Sequence, residues 1–305
     1  MGRALLILLT SLSVSFTIFS VSRNQRIVEA ADELANRYES YSAVNAAASG
    51  AWMALSRLYQ DDTWRAGYQN LVLNGDTINV TLSDATTDPL IPENQIRILA
   101  TGRRLNYTET IDVMVFNGRF NGYAVWSKDS VLYVTTLDSS GLVSPDLLMQ
   151  EAPFMPEIDD QALENEAIDQ GHFITMPPDS FFDPMDGYPN GSFYYSGQTP
   201  NVIVVDGDMR VKNGRTIYGI YLVRGDVRFD SNATLEGIIY LPKSDKIIYN
   251  SNAHVSYVNG GILSWGKILG AFGDIEVKLV PDYMGKFVNN FVPRNPPLRV
   301  LSWKK

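Results

Sequence analysis

The stretch ALLILLTSLSVSFTIFSVSRNQRIVEAADELANRYESYSAVNAAASGAWMALSRLYQ, residues 4–60, decides how the rest of the chain is read. Residues 4–22 carry no charge, with Arg3 before them and Arg23 after. As a helix this run is roughly 28 Å long, about the thickness of a bilayer core. Three readings compete: a cleaved secretory leader with Ser20 and Ser22 at −3 and −1, an uncleaved anchor, or the apolar half of a longer helix that leaves the membrane and packs in a filament. The residues downstream favour the third. Residues 23–60 contain no Pro and one Gly, Gly50, and the first Pro of the chain is Pro89. Ala30, Ala31, Ala35, Ala43, Ala46, Ala47, Ala48, Ala51 and Ala54 keep helix propensity high throughout. Alternating steps of four and three from Ile27 pass through Ala31, Leu34, Tyr38, Tyr41, Asn45, Ala48, Trp52, Leu55 and Tyr59, and only Asn45 is polar. The pattern predicts one helix over residues 4–60, on the order of 85 Å long. Arg3 lies on the short side of the apolar run, so the chain start stays cytoplasmic and the remainder is exported. Arg23 and Arg26 act against this, but a long acidic remainder translocates largely regardless.

Composition removes more function classes than it adds. The chain has 305 residues, 25 Lys+Arg against 34 Asp+Glu, and a net charge of −9, which speaks against nucleic acid as a partner. It has no Cys, which excludes disulfides, thiolate catalysis and Cys-based metal sites. Two histidines, His172 and His254, nearly exclude a multi-His metal centre. No GxGxxG, GxxxxGK[ST] or GxSxG motif occurs, and no EF-hand loop. Four N-x-S/T sequons start at Asn79, Asn106, Asn190 and Asn232.

A short basic start, a Gly near it, an apolar segment and an Ala-rich continuation resemble the first helix of type IV pilins and pilin-like proteins. The stretch GRALLILLTSLSVSFTIFSVSRNQRIVEAADELANRYESYSAVNAAASGAWMAL is especially similar to minor pilins of the PilX kind. The resemblance covers about the first fifth of the chain. It implies processing after Gly2, residence in the inner membrane before assembly, a pilus assembly machinery as partner, and an extracellular filament or cell-surface location. It also implies self-association through the apolar face of the helix: Leu5, Leu8, Leu9, Leu12, Phe16, Phe19, Ile27, Ala31, Leu34, Tyr38, Tyr41, Ala48, Trp52 and Leu55. The Glu that such proteins usually carry at the fifth mature position is missing, since the first acidic residue is Glu29. A minor or tip position tolerates that loss better than a major one.

Residues 68–136 read as strands. LVLNGDTINVTL (71–82) is a hairpin with Asn74-Gly75 as its turn. NQIRILATGRR (94–104), TETIDVMVF (108–116) and AVWSKDSVLYVTTL (124–137) extend it as an antiparallel meander, with Gly102 as a turn. Residues 138–200 are Pro-rich and read as a connector, with a short helix in EIDDQALENEAID (157–169). Its aromatics Phe181, Phe182, Phe193, Tyr194 and Tyr195 cover the end of the next unit or form a sugar-stacking surface.

The carboxyl part repeats. VVDGDMRVKNGRTIYG (204–219) is followed by LVRGDVRFDSNATLEG (222–237), which places Gly207/Gly225, Asp208/Asp226, Arg210/Arg228 and Gly219/Gly237 each 18 apart. Residues 238–261 form a longer, less regular turn. Short β-branched runs broken by Gly, Asn and Asp predict a β-solenoid, right-handed β-helix-like, with a β-sandwich as the alternative. Met209 and Val227 point inward, and the flanking Asp and Arg point out. The pattern also resembles bactofilin-type polymer-forming domains.

The stacked Asp and Arg pairs are the sharpest candidate for chemistry. A glycan-active β-helix would hold calcium on Asp206, Asp208, Asp226 and Asp230 and use Arg210 or Arg228 as base. The plainer reading is an outward charge ladder, because Arg is a poor base. The expected fold is α+β: a helix at 1–60, a β head at 61–137, a connector at 138–200, a solenoid at 201–290 and a tail at 291–305. The expected function is a structural filament subunit and not an enzyme, with calcium at Asp208 and Asp226 as the one cofactor considered. A non-polymerising surface adhesin is the remaining alternative.

Overall fold

A computed structural model describes residues 2–270 and 273–305. The side chains of residues 2–7 lie outside the described residues, and with them the expectations at Gly2 and Leu5. The chain divides into two units, Met1–Asn117 with Leu298–Lys305, and Gly118–Pro297.

The first unit is one helix and one antiparallel sheet. Helix α1 runs Gly2–Gln60 without interruption, as the Ala density and lack of Pro require. The sheet contains β1 (Tyr68–Leu73), β2 (Asp76–Asp84), β3 (Gln95–Arg104) and β4 (Tyr107–Asn117), in that order. Asn74 (φ 52°) and Gly75 (φ 84°) both sit in the left-handed region, which a two-residue hairpin turn of the primed type demands. Alternate residues face α1: Ile78 and Val80, then Ile96, Ile98 and Ala100, then Ile111, Val113 and Val115. Beyond the end of α1, Arg65 binds Asp84 at 2.7 Å. The Thr86 hydroxyl and Arg65 together lower the Asp84 carboxyl to about 2.

Three expectations change in this unit. Gly102 is no turn: it lies inside β3, opposite Glu109, and the turn is at Leu105 (φ 48°). Glycine is needed there because α1 crosses so closely that a Cβ would stand 2.2 Å from the Ala43 carbonyl oxygen. Residues 291–305 are no tail, since Leu298–Lys304 pairs antiparallel with β4 as the fifth strand. Residues 124–137 take no part in this sheet.

The second unit is a solenoid. Two parallel sheets run side by side, and the chain crosses from one to the other in each rung. Val202–Asp206 and Asp208–Val211 form one rung. Thr216–Val223 with Val227–Phe229, Thr234–Leu241 with Ile247–Asn250, and Ser256–Ser264 with Lys267–Leu269 form the next three. Parallel pairing excludes the sandwich. The 18-residue period is the register itself: Met209 pairs Val227, Arg210 pairs Arg228, and Gly219 pairs Gly237. Gly260 continues that last column. A Cβ on Gly237 would lie 1.8 Å from the Gly219 carbonyl oxygen, so this column of backbones admits no side chain. Met209, Val227, Phe229, Ile217, Leu235 and Ile248 fill the interior and are fully buried. The outer face of one sheet is covered by α2 (Asp160–Asp169) and α3 (Pro281–Phe291). The strands beneath therefore read as unbroken apolar runs and not as alternations.

The expected boundary at 137 falls instead at 117. Val125–Ser127 stacks parallel on residues 262–264, Val131–Leu132 on 268–269, and Val134–Leu137 on 275–278. The segment expected to end the meander is thus a solenoid rung, and the last strands of the coil stack against it. The expected connector also belongs here. Phe173–Thr175 and Phe181–Phe182 make the rung at the other end, pairing with Val202–Asp206 and Asp208–Val211. Phe182 packs on the core, and Phe193 stacks on Tyr283 at 4.0 Å, so these two aromatics take the covering role. The expected short helix is α2, whose first turn is capped by Asp159 accepting from the Ala162 N–H at 2.9 Å.

Candidate assembly surface

Helix α1 has two faces with different chemistry. Toward the sheet it presents Ala43, Ala47, Gly50, Ala51, Ala54 and Leu58, all buried. A Cβ on Gly50 would meet Ile78 at 2.6 Å, so small residues set the close approach of helix to sheet. At 100° per residue the opposite face holds Ile27, Leu34, Tyr38, Tyr41, Asn45, Trp52 and Tyr59. Every one is exposed, Leu34 at 68% and Tyr38 at 66%. The stripe read from the sequence is therefore the open face of α1. Two of its members differ. Leu55 is buried in the core against the sheet and Ala48 is half-buried, because both lie at the border between the faces. Trp52 has a partner in Trp303, with ring centroids 5.0 Å apart.

Nearer the amino end the helix is exposed throughout. From residue 8 to 38 only Ser20 is half-buried. Leu8, Leu9, Leu12, Phe16 and Phe19 continue the open face. Val14, Ile18 and Val21 lie on the other side and are equally exposed. The stripe read from the sequence misses these three, although a wheel over residues 8–21 finds them. A helix apolar all round buries itself in lipid or protein. Ser11 and Thr17 turn their hydroxyls onto the carbonyls of Leu8 and Ser13, at 2.9 and 2.8 Å, so these polar side chains spend their hydrogen bonds on the helix itself. Among the described residues no helix is long and apolar enough to cross a membrane.

The Asp and Arg ladder has a structural use. Asp208 accepts from the Asp226 N–H at 2.7 Å, and Asp226 accepts from the Ile247 N–H at 3.0 Å. Each carboxylate thus fastens its rung to the next. Arg210 and Arg228 do not stand free as bases: both converge on Asp230, at 2.7 and 3.1 Å, and Ser251 adds a hydrogen bond at 2.9 Å. Burial alone pushes the Asp230 carboxyl up, but Arg210, Ser251 and Arg228 outweigh it and hold it below the usual range. The expected calcium cluster of Asp206, Asp208, Asp226 and Asp230 does not assemble. Among the described residues no three His, Cys, Asp or Glu side chains gather as a metal site.

No family model matches the chain, and no curated protein matches it. Among solved structures, the competence-associated pilin ComZ from Thermus thermophilus is similar over 88% of this chain and 97% of that one. The identity is 10% and the TM-score 0.28. Similarity of that size decides neither fold nor function. The helix, sheet and solenoid stand on their own pairing and packing.

Proposed function

We propose that this chain is a structural, non-catalytic subunit, minor or major, of a type IV pilus-like filament, with a first helix similar to that of PilX-type minor pilins. Copies associate through the open face of α1 after residing in the inner membrane, an assembly machinery draws them into the filament, and the solenoid unit is carried to the cell surface as the adhesive part. The observation that carries this reading is the exposed apolar face of α1 opposite the sheet. Burying one large apolar side chain contributes about 1.5–3 kcal/mol, and among the described residues eleven such side chains stand exposed on that face: Leu8, Leu9, Leu12, Phe16, Phe19, Ile27, Leu34, Tyr38, Tyr41, Trp52 and Tyr59. A surface of that size marks an interaction site. Along the four-three stripe from Ile27 to Tyr59, Asn45 is the one polar member.

The test is electron microscopy of cells producing Leu8→Asp or Leu12→Asp chains. The reading expects chain present in the membrane fraction and no filaments. Normal filaments from either variant would refute it, and absence of filaments from the unmodified chain would favour a non-polymerising surface protein.

A further inference from the structure

The solenoid unit holds a cleft of about 520 Å³, lined chiefly by Glu166 of α2, Gln198 and Thr199 of the 194–200 hairpin, and Lys286, Asn289 and Asn290 of α3. Its frame is fixed on every side. Gln170 donates to the Pro200 carbonyl at 3.0 Å and accepts from the Val202 N–H at 2.8 Å, which ties α2 to the hairpin. The Asp159 N–H donates to the Phe291 carbonyl at 2.8 Å, which ties the start of α2 to the end of α3. The Tyr194 hydroxyl donates to Asp282, and Lys286 donates to Gln198 at 2.8 Å, which tie the hairpin to α3. A cleft held this way loses little freedom when a ligand enters.

Its lining is wrong for an apolar ligand and right for one rich in hydroxyls. Asn289 offers an amide donor and acceptor, Asn290 keeps its oxygen and one N–H after donating to the Lys286 carbonyl at 2.7 Å, and Thr199 offers a hydroxyl. Gln198 gives its oxygen to Lys286, which leaves its NH2 group for a ligand. Glu166 gives one oxygen to Gln170 at 2.8 Å, which leaves the other as an acceptor. Lys286 forms no ion pair among the described residues and keeps two ammonium protons to donate. The surroundings choose between neutral and anionic ligands. Glu166 is the one carboxylate in the lining and Lys286 the one cation, so the lining carries no net charge and favours a neutral sugar over an anionic one.

We infer that this cleft binds a neutral saccharide of one to two rings. The site lies wholly in the solenoid unit, so the inference holds whether or not α1 assembles.

The test is saturation-transfer NMR on the full chain, held in a detergent without a sugar head group. The probes are maltose, cellobiose, lactose and N,N′-diacetylchitobiose. At least one is expected to receive saturation, and Lys286→Met and Asn290→Ala are each expected to weaken it about tenfold. A Ser244→Ala control, on an exposed loop of the same unit, should leave binding unchanged. Unchanged melting of each variant confirms that the cleft alone was altered. Transfer to none of the four probes overturns the inference. So does transfer that survives both substitutions, and so does preferential binding of galacturonic acid over the neutral sugars.

Discussion

Val202–Asp206 and residues 8–21 of α1 are both apolar runs, yet Val202, Ile203, Val204 and Val205 are fully buried while Leu8, Leu12 and Phe16 are exposed. The difference lies in the backbone. A strand leaves its N–H and C=O groups to be satisfied by neighbours, so it must be stacked into a sheet, and stacking covers its side chains as well. A helix satisfies its own backbone, so α1 can extend away from its sheet with no polar cost and leave its side chains for a partner. The same apolarity therefore ends as a core in one unit and as a contact surface in the other.

The contrast breaks most sharply at the glycine column. Gly237→Val must push the Gly219 backbone away, and the solenoid should lose more than about 4 kcal/mol or fail to fold. Circular dichroism and thermal melting would show it. Core against open face comes next. Met209→Ala should cost about 2–5 kcal/mol in urea unfolding. Tyr38→Ala, on a side chain of nearly the same apolar character, should change the dissociated chain by less than about 0.5 kcal/mol.

The charge ladder gives smaller effects. Asp230→Ala leaves Arg210 and Arg228 without their shared carboxylate and should cost about 2–3 kcal/mol. The folded carboxyl titrates below the unfolded value of about 3.9. Its contribution is therefore full above pH ~4 and is lost as pH falls through the folded value. Melting temperature measured between pH 5 and pH 2 should fall less steeply in the variant than in the native chain. Asp208→Ala removes one bond to the Asp226 N–H and should cost about 1 kcal/mol. Chelation by EDTA should leave the melting of the native chain unchanged; a drop of several degrees would restore calcium to this ladder.

Much of this is legible in the sequence, for physical reasons. Ala density, the absence of Pro and the Asn74-Gly75 pair act locally, so α1 and the first hairpin can be read directly. The 18-residue period is legible where one rung copies the next, from Met209 to Val227 and from Gly219 to Gly237, and fades where the following rung is longer, from Gly237 to Gly260. The features that escape a sequence reading depend on distant partners. Residues 125–137 stack on strands about 140 positions later, and nothing local separates them from a meander strand. Gly102 looks like a turn because a glycine required by a crossing helix carries no different mark. The covered face of α1 is hard to see because Ala and Gly weigh little in any apolar pattern, while Tyr and Trp weigh heavily. The large residues therefore mark the face turned away from the sheet. Asp208 and Asp226 suggest a metal until the backbone donors of the next rung are in place.

The absence of native cysteine allows one probe to address the open face without background. A single Leu34→Cys chain and a single Ser244→Cys chain, each as purified assemblies and each dissociated in detergent, would be labelled with a water-soluble maleimide. The account predicts that assembly slows labelling at position 34 at least tenfold and leaves position 244 unaffected. Equal labelling of position 34 in both states would contradict it.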